Sequence, residues 1–410
     1  MKNIVVIGAG IVGIATALSL QRDGHRVTVI DRQSPGHGTS FGNAAVIANY
    51  QCLPLGHWGV IKQIPRMLLS AERPLTIRWR YLAKLTPWLA RFVWASRPRR
   101  VAEIGSALAQ LSRNAAPDYA PLIEMADAGH LVVRSGLLYL YGSPESYAHG
   151  KPEIELRLRH GLQLQEVSAK EIADLEPNLA PIYHRGVLFP GATHLQSPLA
   201  FVERFAQSFV ERGGTLLREE ARAIERNDRG GVAVRTSAGL IAADCVVLAA
   251  GAWSRPLALQ VGDRIPLDTE RGHHVVFAGA QWLLNRPVGA AEIGFYITPM
   301  ADGLRAAGTV EFGGLDAPLD PRRIRFLVRG ARRLLPQLPE PASQWLGFRP
   351  SMPDSLPVIG ASPLNPNVVY AFGHGHLGIT FAAVTARMVA DLIAGRRPHI
   401  DPTPYRPDRF

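Results

Sequence analysis

Three glycines and an acid near the start of the chain have the types and spacing needed to hold a dinucleotide. Gly8, Gly10 and Gly13 stand at GxGxxG spacing, and Asp31 follows Gly13 by 18 residues. In that pattern the first glycine allows a tight turn, the second lets backbone approach a pyrophosphate, and the third lets a helix pack closely on a strand. The acid accepts hydrogen bonds from a ribose diol and repels a 2′-phosphate. Ile11 and Val12 lie where the first amides of the helix would meet the phosphates, and Arg32 follows the acid. The elements that must position these residues are equally plain. Ile4-Val5-Val6-Ile7 is apolar on both faces, as a strand buried in a parallel sheet must be. Ile14, Ala17, Leu18 and Leu20 give the following helix an apolar face, and Arg26 to Ile30 form a second strand that ends at Asp31. The unit predicts an adenine dinucleotide bound without a 2′-phosphate.

Two later stretches point to the same ligand. The run from Ala243 to Trp253 ends a buried strand in Ala250 and Gly251, small residues that let backbone approach something bulky. A chain that returns to the same sheet to touch its dinucleotide twice fits a flavin better than a nicotinamide. Further on, Gly373-His374-Gly375-His376-Leu377-Gly378-Ile379-Thr380 places glycines before a helix predicted from about 376 to 394. A positive helix end beside the pyrimidine side of an isoalloxazine would stabilise the anionic reduced flavin. His374 and His376 read equally well as simple loop histidines. Arg349, between an apolar strand and a proline, could fork onto a carboxylate with two parallel bonds, or pair with Asp354. Tyr296, in the alternating Gly294-Phe295-Tyr296-Ile297-Thr298, could add its hydroxyl to that carboxylate or be a half-buried strand tyrosine. Arg271, His273 and His274 lie on one strand, of which only one face can meet a substrate.

Taken in order, these blocks resemble the glutathione-reductase-type FAD enzymes of the D-amino acid oxidase superfamily. Within it the chain resembles the bacterial D-amino acid dehydrogenases more than the glycine and sarcosine oxidases, over nearly its whole length. GFRPSMPDSLPVIG and GHGHLGIT are similar to the family's G-x-R-P…D-x-x-P-x-x-G and G-H-G-x-x-G blocks. The resemblance implies that Arg349 holds a substrate carboxylate and that Gly375 to Thr380 touch the flavin ring. It also implies that Ser40 to Ala44, Asn43 among them, follow the pyrophosphate and ribityl chain, and that Ala221 approaches the adenine through its backbone. Members that bind flavin through a thiol carry a cysteine just after the arginine block. Ser351 and Met352 stand there in this chain, so the FAD is expected to be non-covalent.

The implied fold is α/β, a Rossmann-type FAD-binding domain with a second α+β substrate-binding domain built on an antiparallel sheet. Residues 1–56, 155–180, 196–262 and 340–400 are assigned to the first, and 57–154, 181–195 and 263–339 to the second. The implied reaction is oxidative deamination of a D-amino acid, with Arg349, Tyr296 and His376 as catalytic residues. Hydride passes from Cα to flavin N5, and the imino acid hydrolyses to a 2-oxo acid and ammonia, or stays a cyclic imine for a proline-type substrate. Electrons are expected to go to a quinone or another non-oxygen acceptor. Two other readings stay open: a glycine- or sarcosine-type oxidase using O2, and a non-catalytic FAD-bearing electron-relay subunit.

Composition bounds the rest. A chain of 410 residues, 47% hydrophobic, is about two domains long and can bury a sizeable core. No stretch reaches the roughly 18 uninterrupted apolar residues of a membrane span, and the opening apolar run leads straight into the glycine motif, unlike a signal peptide. Cys52 and Cys245 are too few for a disulfide framework, an iron–sulfur cluster or a four-thiolate zinc site, so a cytoplasmic location is expected. The net charge of +11 is concentrated: residues 57–100 hold ten of the lysines and arginines, one acid and four of the seven tryptophans. Tryptophan beside arginine suits an anionic lipid interface, hence a peripheral site on the inner face of the cytoplasmic membrane. A lid or oligomer surface with a solvated basic face is the alternative, and no recognised module supports a nucleic-acid partner. Residues 62–130 read as helices broken by Pro65, Pro74, Pro87, Pro98 and Pro117, and residues 166–176 as a short helix.

Overall fold

The apolar run at the start of the chain becomes the strand Asn3–Ile7, the centre of a six-stranded sheet in a computed structural model that describes residues 1–57, 59–61, 64, 75–226 and 231–410. Across that sheet the order is Thr215–Arg218, Arg26–Asp31, Asn3–Ile7, Cys245–Leu248, Val368–Phe372 and Val358–Ala361. All pairs are parallel except the last. Ile7 stands opposite both Ile30 and Leu248, so three strands end together and the glycine turn sits over their carboxyl ends. That turn is tight. Gly8 has φ +113, and a Cβ on it would lie 2.4 Å from the Ala249 carbonyl oxygen. A Cβ on Gly13 would lie 1.9 Å from the Gly8 oxygen, so only glycine lets the helix Ile11–Arg22 sit this close to the sheet.

The helices Ile11–Arg22, Pro98–Met125 and Gly378–Ile393 cover one face of the sheet, burying Ile14, Leu18, Leu108, Leu111, Phe381 and Val384 in one core. The helical stretch Gly375–Ile393 is long and apolar enough to cross a membrane, but most of it is buried inside the protein, which makes it a core helix. A three-stranded sheet of Ala221–Arg226, Val232–Thr236 and Leu240–Ala243 closes the other face over Val5, Ile7, Val246 and Leu248.

The second unit is a nine-stranded, mostly antiparallel sheet. Its two long strands, Asp268–Phe277 and Gly303–Phe312, are neighbours, and Ser343–Ser351 flanks the first of them. Phe295–Met300, Val288–Ala290, Leu137–Tyr141, Arg185–Phe189 and Gln165–Ser168 continue the sheet on the other side. Leu75–Ile77 adds a parallel pair to Gly303–Phe312. The helix Pro321–Leu334 packs Ile324, Leu327, Ala331 and Leu334 against the outer face of this sheet.

Three expectations change. Residues 166–176 are not one helix: the strand Gln165–Ser168 comes first, and Ser168 then starts the helix Ala169–Leu175 through a capping box with Glu171. That strand pairs with Arg185–Phe189, and Ser343–Ser351 pairs with Asp268–Phe277, so parts of 155–180 and 340–400 belong to the second sheet. Strand partners depend on long-range pairing, which a linear pattern does not encode. Pro87 and Pro117 lie inside the helices Leu82–Ala95 and Pro98–Met125 rather than ending them, whereas Pro98 opens its helix as the first residue. A 28-residue helix loses a few backbone bonds at its prolines, while the packing of Leu108, Leu111, Tyr119 and Leu122 continues on both sides. Pro65 and Pro74 lie outside the described residues, as do Trp58, Lys62, Arg66 and Arg73 of the basic segment.

The Gly13 contact yields a direct test. Gly13→Val should destabilise the protein by about 3 kcal/mol in denaturant unfolding and release bound FAD, because the helix must lift from the strand. A midpoint within error of the parent would contradict the packing described.

Candidate active site

Between the two sheets runs a cavity of about 840 Å³, within the range of cofactor sites. Gly8, Gly10, Ile11 and Val12 line one part, followed by Asp31, Arg32, Ser40, Asn43 and Ala44. Ala221, Ala250, Gly251 and Trp253 line it as well, and Gly375, His376, Leu377, Gly378, Ile379 and Thr380 all reach it. Of the residues expected to hold the dinucleotide, Gly13 and Phe41 are absent from the lining; the place of Gly13 is in the helix–strand contact.

The polar groups along this cavity fit FAD. Asp31 accepts hydrogen bonds from the amides of Ala9 (2.7 Å) and Gln33 (2.9 Å), which fix the carboxylate yet leave lone pairs for ribose hydroxyls. The Arg32 guanidinium lies 4.4 Å from the Trp253 ring centroid, making a flat wall beside Ala250 and Gly251. The Ile11 amide donates to Ser40 Oγ at 3.0 Å, so the helix N-terminus and the loop after the second strand meet at the same point. The second sheet holds that loop from the other side. Thr298 Oγ1 donates to the Ala44 oxygen (2.8 Å), Arg305 to the Phe41 oxygen (2.8 Å), and His274 Nδ1 meets the Gly42 oxygen (3.0 Å).

At the far end Gly375 has φ +55, a turn that suits glycine, and Gly378 starts the helix Gly378–Ile393. The first amides of that helix lack intrahelical acceptors and border the cavity. His374 lines the cavity as well; it is buried and bonded to Thr385 Oγ1 at 2.9 Å, which braces the loop. Among the described lining residues there is no cysteine. Cys52 and Cys245 are both buried, and burial pushes each thiol up to about 11, which leaves them inert.

Arg349 comes from the strand Ser343–Ser351 and spreads its guanidinium over Gly272 on the neighbouring strand; a Cβ on Gly272 would lie 2.4 Å from Cζ. Nη1 donates to the Thr309 carbonyl at 2.8 Å and Nη2 to the Gly308 carbonyl at 3.4 Å. The alternative partner is taken: Asp354 receives Arg409 at 2.8 and 3.2 Å. Burial lowers the pKa of Arg349 while the charge of Glu270 opposes that shift. Tyr296 lines the same cavity with Tyr50, Tyr139 and Tyr141, its ring 6.2 Å from that of Tyr139. Burial raises Tyr50, Tyr139 and Tyr296 above the ordinary tyrosine value, so all three are neutral donors. His376 faces the cavity too, held at about 4 by burial and then by Arg349, and is therefore neutral near pH 7.

None of Arg271, His273 and His274 lines the cavity. Arg271 and His273 turn to the outer face, where Arg271 bonds the Ala317 and Pro318 carbonyls and His273 bonds Thr309 Oγ1. His274 shares the inner face but stacks on Trp345 at 5.2 Å. Sequence reasoning missed Glu270, which lines the cavity two positions before Gly272, and also Tyr50, Tyr139, Tyr141, Glu153 and Arg157. The alternation of Tyr139 and Tyr141 on one strand face was a usable signal; nothing in the sequence singled out the others.

A parallel sheet with a dinucleotide-type glycine turn, a second sheet over the cavity and a buried arginine at their seam are the framework of a flavin-dependent oxidoreductase. The chain belongs to the FAD dependent oxidoreductase family, whose model matches residues 3–392. It is 37% identical to a D-amino-acid oxidase of Bradyrhizobium diazoefficiens, covering 100% of this chain and 99% of that one. It is 33% identical to a D-amino acid dehydrogenase of Paramagnetospirillum magneticum, again over 100% and 99% of the two chains. Glycine oxidase from Geobacillus kaustophilus has a similar fold, with a TM-score of 0.77 at 23% identity over 100% and 99% of the chains. L-proline dehydrogenase from P. horikoshii gives 0.76 at 20%, covering 100% and 97%.

Burial holds His194 near 4, and His273, His274 and His374 near 3, all below the ordinary 6.5. The unfolded chain therefore takes up protons near pH 6.5 that the folded chain refuses, so this stability is complete above that pH and is lost on acidification. The Tm should hold steady above about pH 7 and fall steadily from about 6.5 to 5. A flat Tm across that lower window would contradict the burial of these rings.

Proposed function

We propose that the chain oxidises a D-amino acid to its imino acid, which water converts to a 2-oxo acid and ammonia, and that the electrons pass to a membrane quinone. The observation that carries the reading is the Arg349 guanidinium, which opens on the same cavity as the Gly375–Thr380 loop. FAD, when bound along the cavity, supplies the two-electron hydride acceptor. Arg349 clamps the substrate carboxylate in a forked pair, which fixes Cα relative to that loop. Tyr296 and Tyr50 offer neutral hydroxyls at the same end, and with Tyr139 and Tyr141 they form an aromatic wall that displaces water from the substrate. Neutral His376 can accept or donate a hydrogen bond there without adding charge. The full-length relatives named D-amino-acid oxidase and D-amino acid dehydrogenase support the substrate class.

The acceptor and its location rest on the helix Leu82–Ala95 and the turn before it. Leu85 and Trp88 are buried, while Trp79 is 78% and Trp94 50% exposed, with Leu82 and Val93 beside them on the surface. Arg80 lies over the Trp79 ring and Arg100 over the Trp94 ring, and Lys84, Arg91, Arg97 and Arg99 are exposed around them. Apolar rings ringed by cations suit the headgroup level of an anionic bilayer on the inner face of the cytoplasmic membrane. The oxidase reading keeps one supporting fact, the name of the 37% identical relative.

Arg349→Ala should keep its FAD and raise KM for the best D-amino acid by about a hundredfold or more, since a charged bidentate contact is lost. An unchanged KM would remove the carboxylate clamp. Co-sedimentation with phosphatidylglycerol vesicles at low salt should capture the protein, a Trp79→Ser/Trp94→Ser variant should stay in solution, and turnover should reduce an added quinone. Parent protein left in the supernatant, with stoichiometric peroxide in place of reduced quinone, would replace this reading with the O2-using oxidase.

A further inference from the structure

Glu270 is a buried carboxylate in the substrate end of the cavity for which the carboxylate clamp gives no role. It stands directly opposite Arg349 in the antiparallel register, and both residues line the cavity. The Arg349 guanidinium lies over Gly272 and gives its hydrogen bonds to the Gly308 and Thr309 carbonyls, while the Glu270 charge acts on it from the same strand pair. The groups acting on Glu270 are Arg349, Ser351 and Asp268; Asp268 is itself occupied by the Tyr81 hydroxyl at 3.0 Å and the Thr269 amide at 2.7 Å. Glu270 is 3% exposed, and burial raises its pKa above the ordinary glutamate value. A site holding Arg349 alone would prefer any small carboxylate, including the 2-oxo acid product. A positive and a negative group side by side instead match a molecule that carries a carboxylate and an ammonium on adjacent atoms.

Building on the amino acid reading above, we propose that Glu270 is the counter-charge for the substrate's ammonium group and makes the cavity select zwitterions over simple carboxylates. The ammonium docks at the Glu270 carboxylate while the α-carboxylate docks at Arg349. Before Cα can give up hydride the nitrogen must hold a free lone pair. An ammonium N–H bond therefore breaks, an O–H bond forms on Glu270, the two charges cancel, and the electron pair stays on nitrogen. The product 2-oxo acid has no cation to offer Glu270, so the same carboxylate favours its departure.

The test compares two ligands on the FAD-loaded protein. D-Alanine affinity is read from the concentration dependence of anaerobic flavin bleaching, and propionate affinity from its equilibrium perturbation of the flavin spectrum. In Glu270→Gln, D-alanine should bind about tenfold or more weaker and the limiting bleaching rate should fall, while propionate binds several-fold tighter, as expected for loss of a buried charged contact. Glu270→Asp keeps the charge and should recover part of the D-alanine affinity. Equal weakening of both ligands in Glu270→Gln, or no change in either, would overturn the assignment and leave Glu270 a structural residue. Propionate binding to parent protein that no D-amino acid bleaches would overturn the amino acid reading itself, and this assignment with it.

Discussion

The structure depends on one guanidinium placed at the seam between two sheets. Arg349 is half-buried in the cavity wall, and withdrawing a charge from water is costly unless polar partners surround it. Its partners are two backbone carbonyls of the strand Gly303–Phe312 and the carboxylate field of Glu270 on the strand between. Gly272 leaves the space that lets the arginine reach across that middle strand. The position of the arginine is thus set by the register of three strands.

The dinucleotide sheet brings the other half of the site to this point. Its glycine turn, the loop around residues 38–45 and the start of the helix Gly378–Ile393 all border one cavity, and the loop is held by Thr298, Arg305 and His274 of the second sheet. A cofactor lying along that cavity touches both units, so its binding and the docking of the two sheets stabilise each other. The same enclosure keeps Tyr50, Tyr139 and Tyr296 neutral, while Arg349, Glu270, Glu153 and Arg157 are charged side chains that border the cavity.

Much of this was legible from the residues alone. Local physics specifies the opening strand–turn–helix unit: the run Ile4–Ile7, the glycines 8, 10 and 13 and Asp31 admit few other arrangements. The Gly375–Thr380 turn and Arg349 were found for similar reasons. Nothing in the sequence separates Glu270 from Arg271, His273 and His274 on the same strand, because only the cross-strand register with Arg349 tells which parity faces inward. Tyr50, Tyr139 and Arg157 reach the cavity from a loop, a strand and a helix far apart in sequence, and no spacing could announce their meeting. Pro87 and Pro117 misled because proline's local preference to end a helix was overridden by packing along the whole helix.

FAD seated beside Arg349 is tested most directly by the absorption spectrum of the purified protein, taken alone and then during titration with benzoate. The purified protein should be yellow with one FAD per chain, and its flavin bands should shift as benzoate docks at Arg349. Protein that is colourless and stays so after incubation with FAD, or a flavin indifferent to benzoate at every concentration, would contradict it.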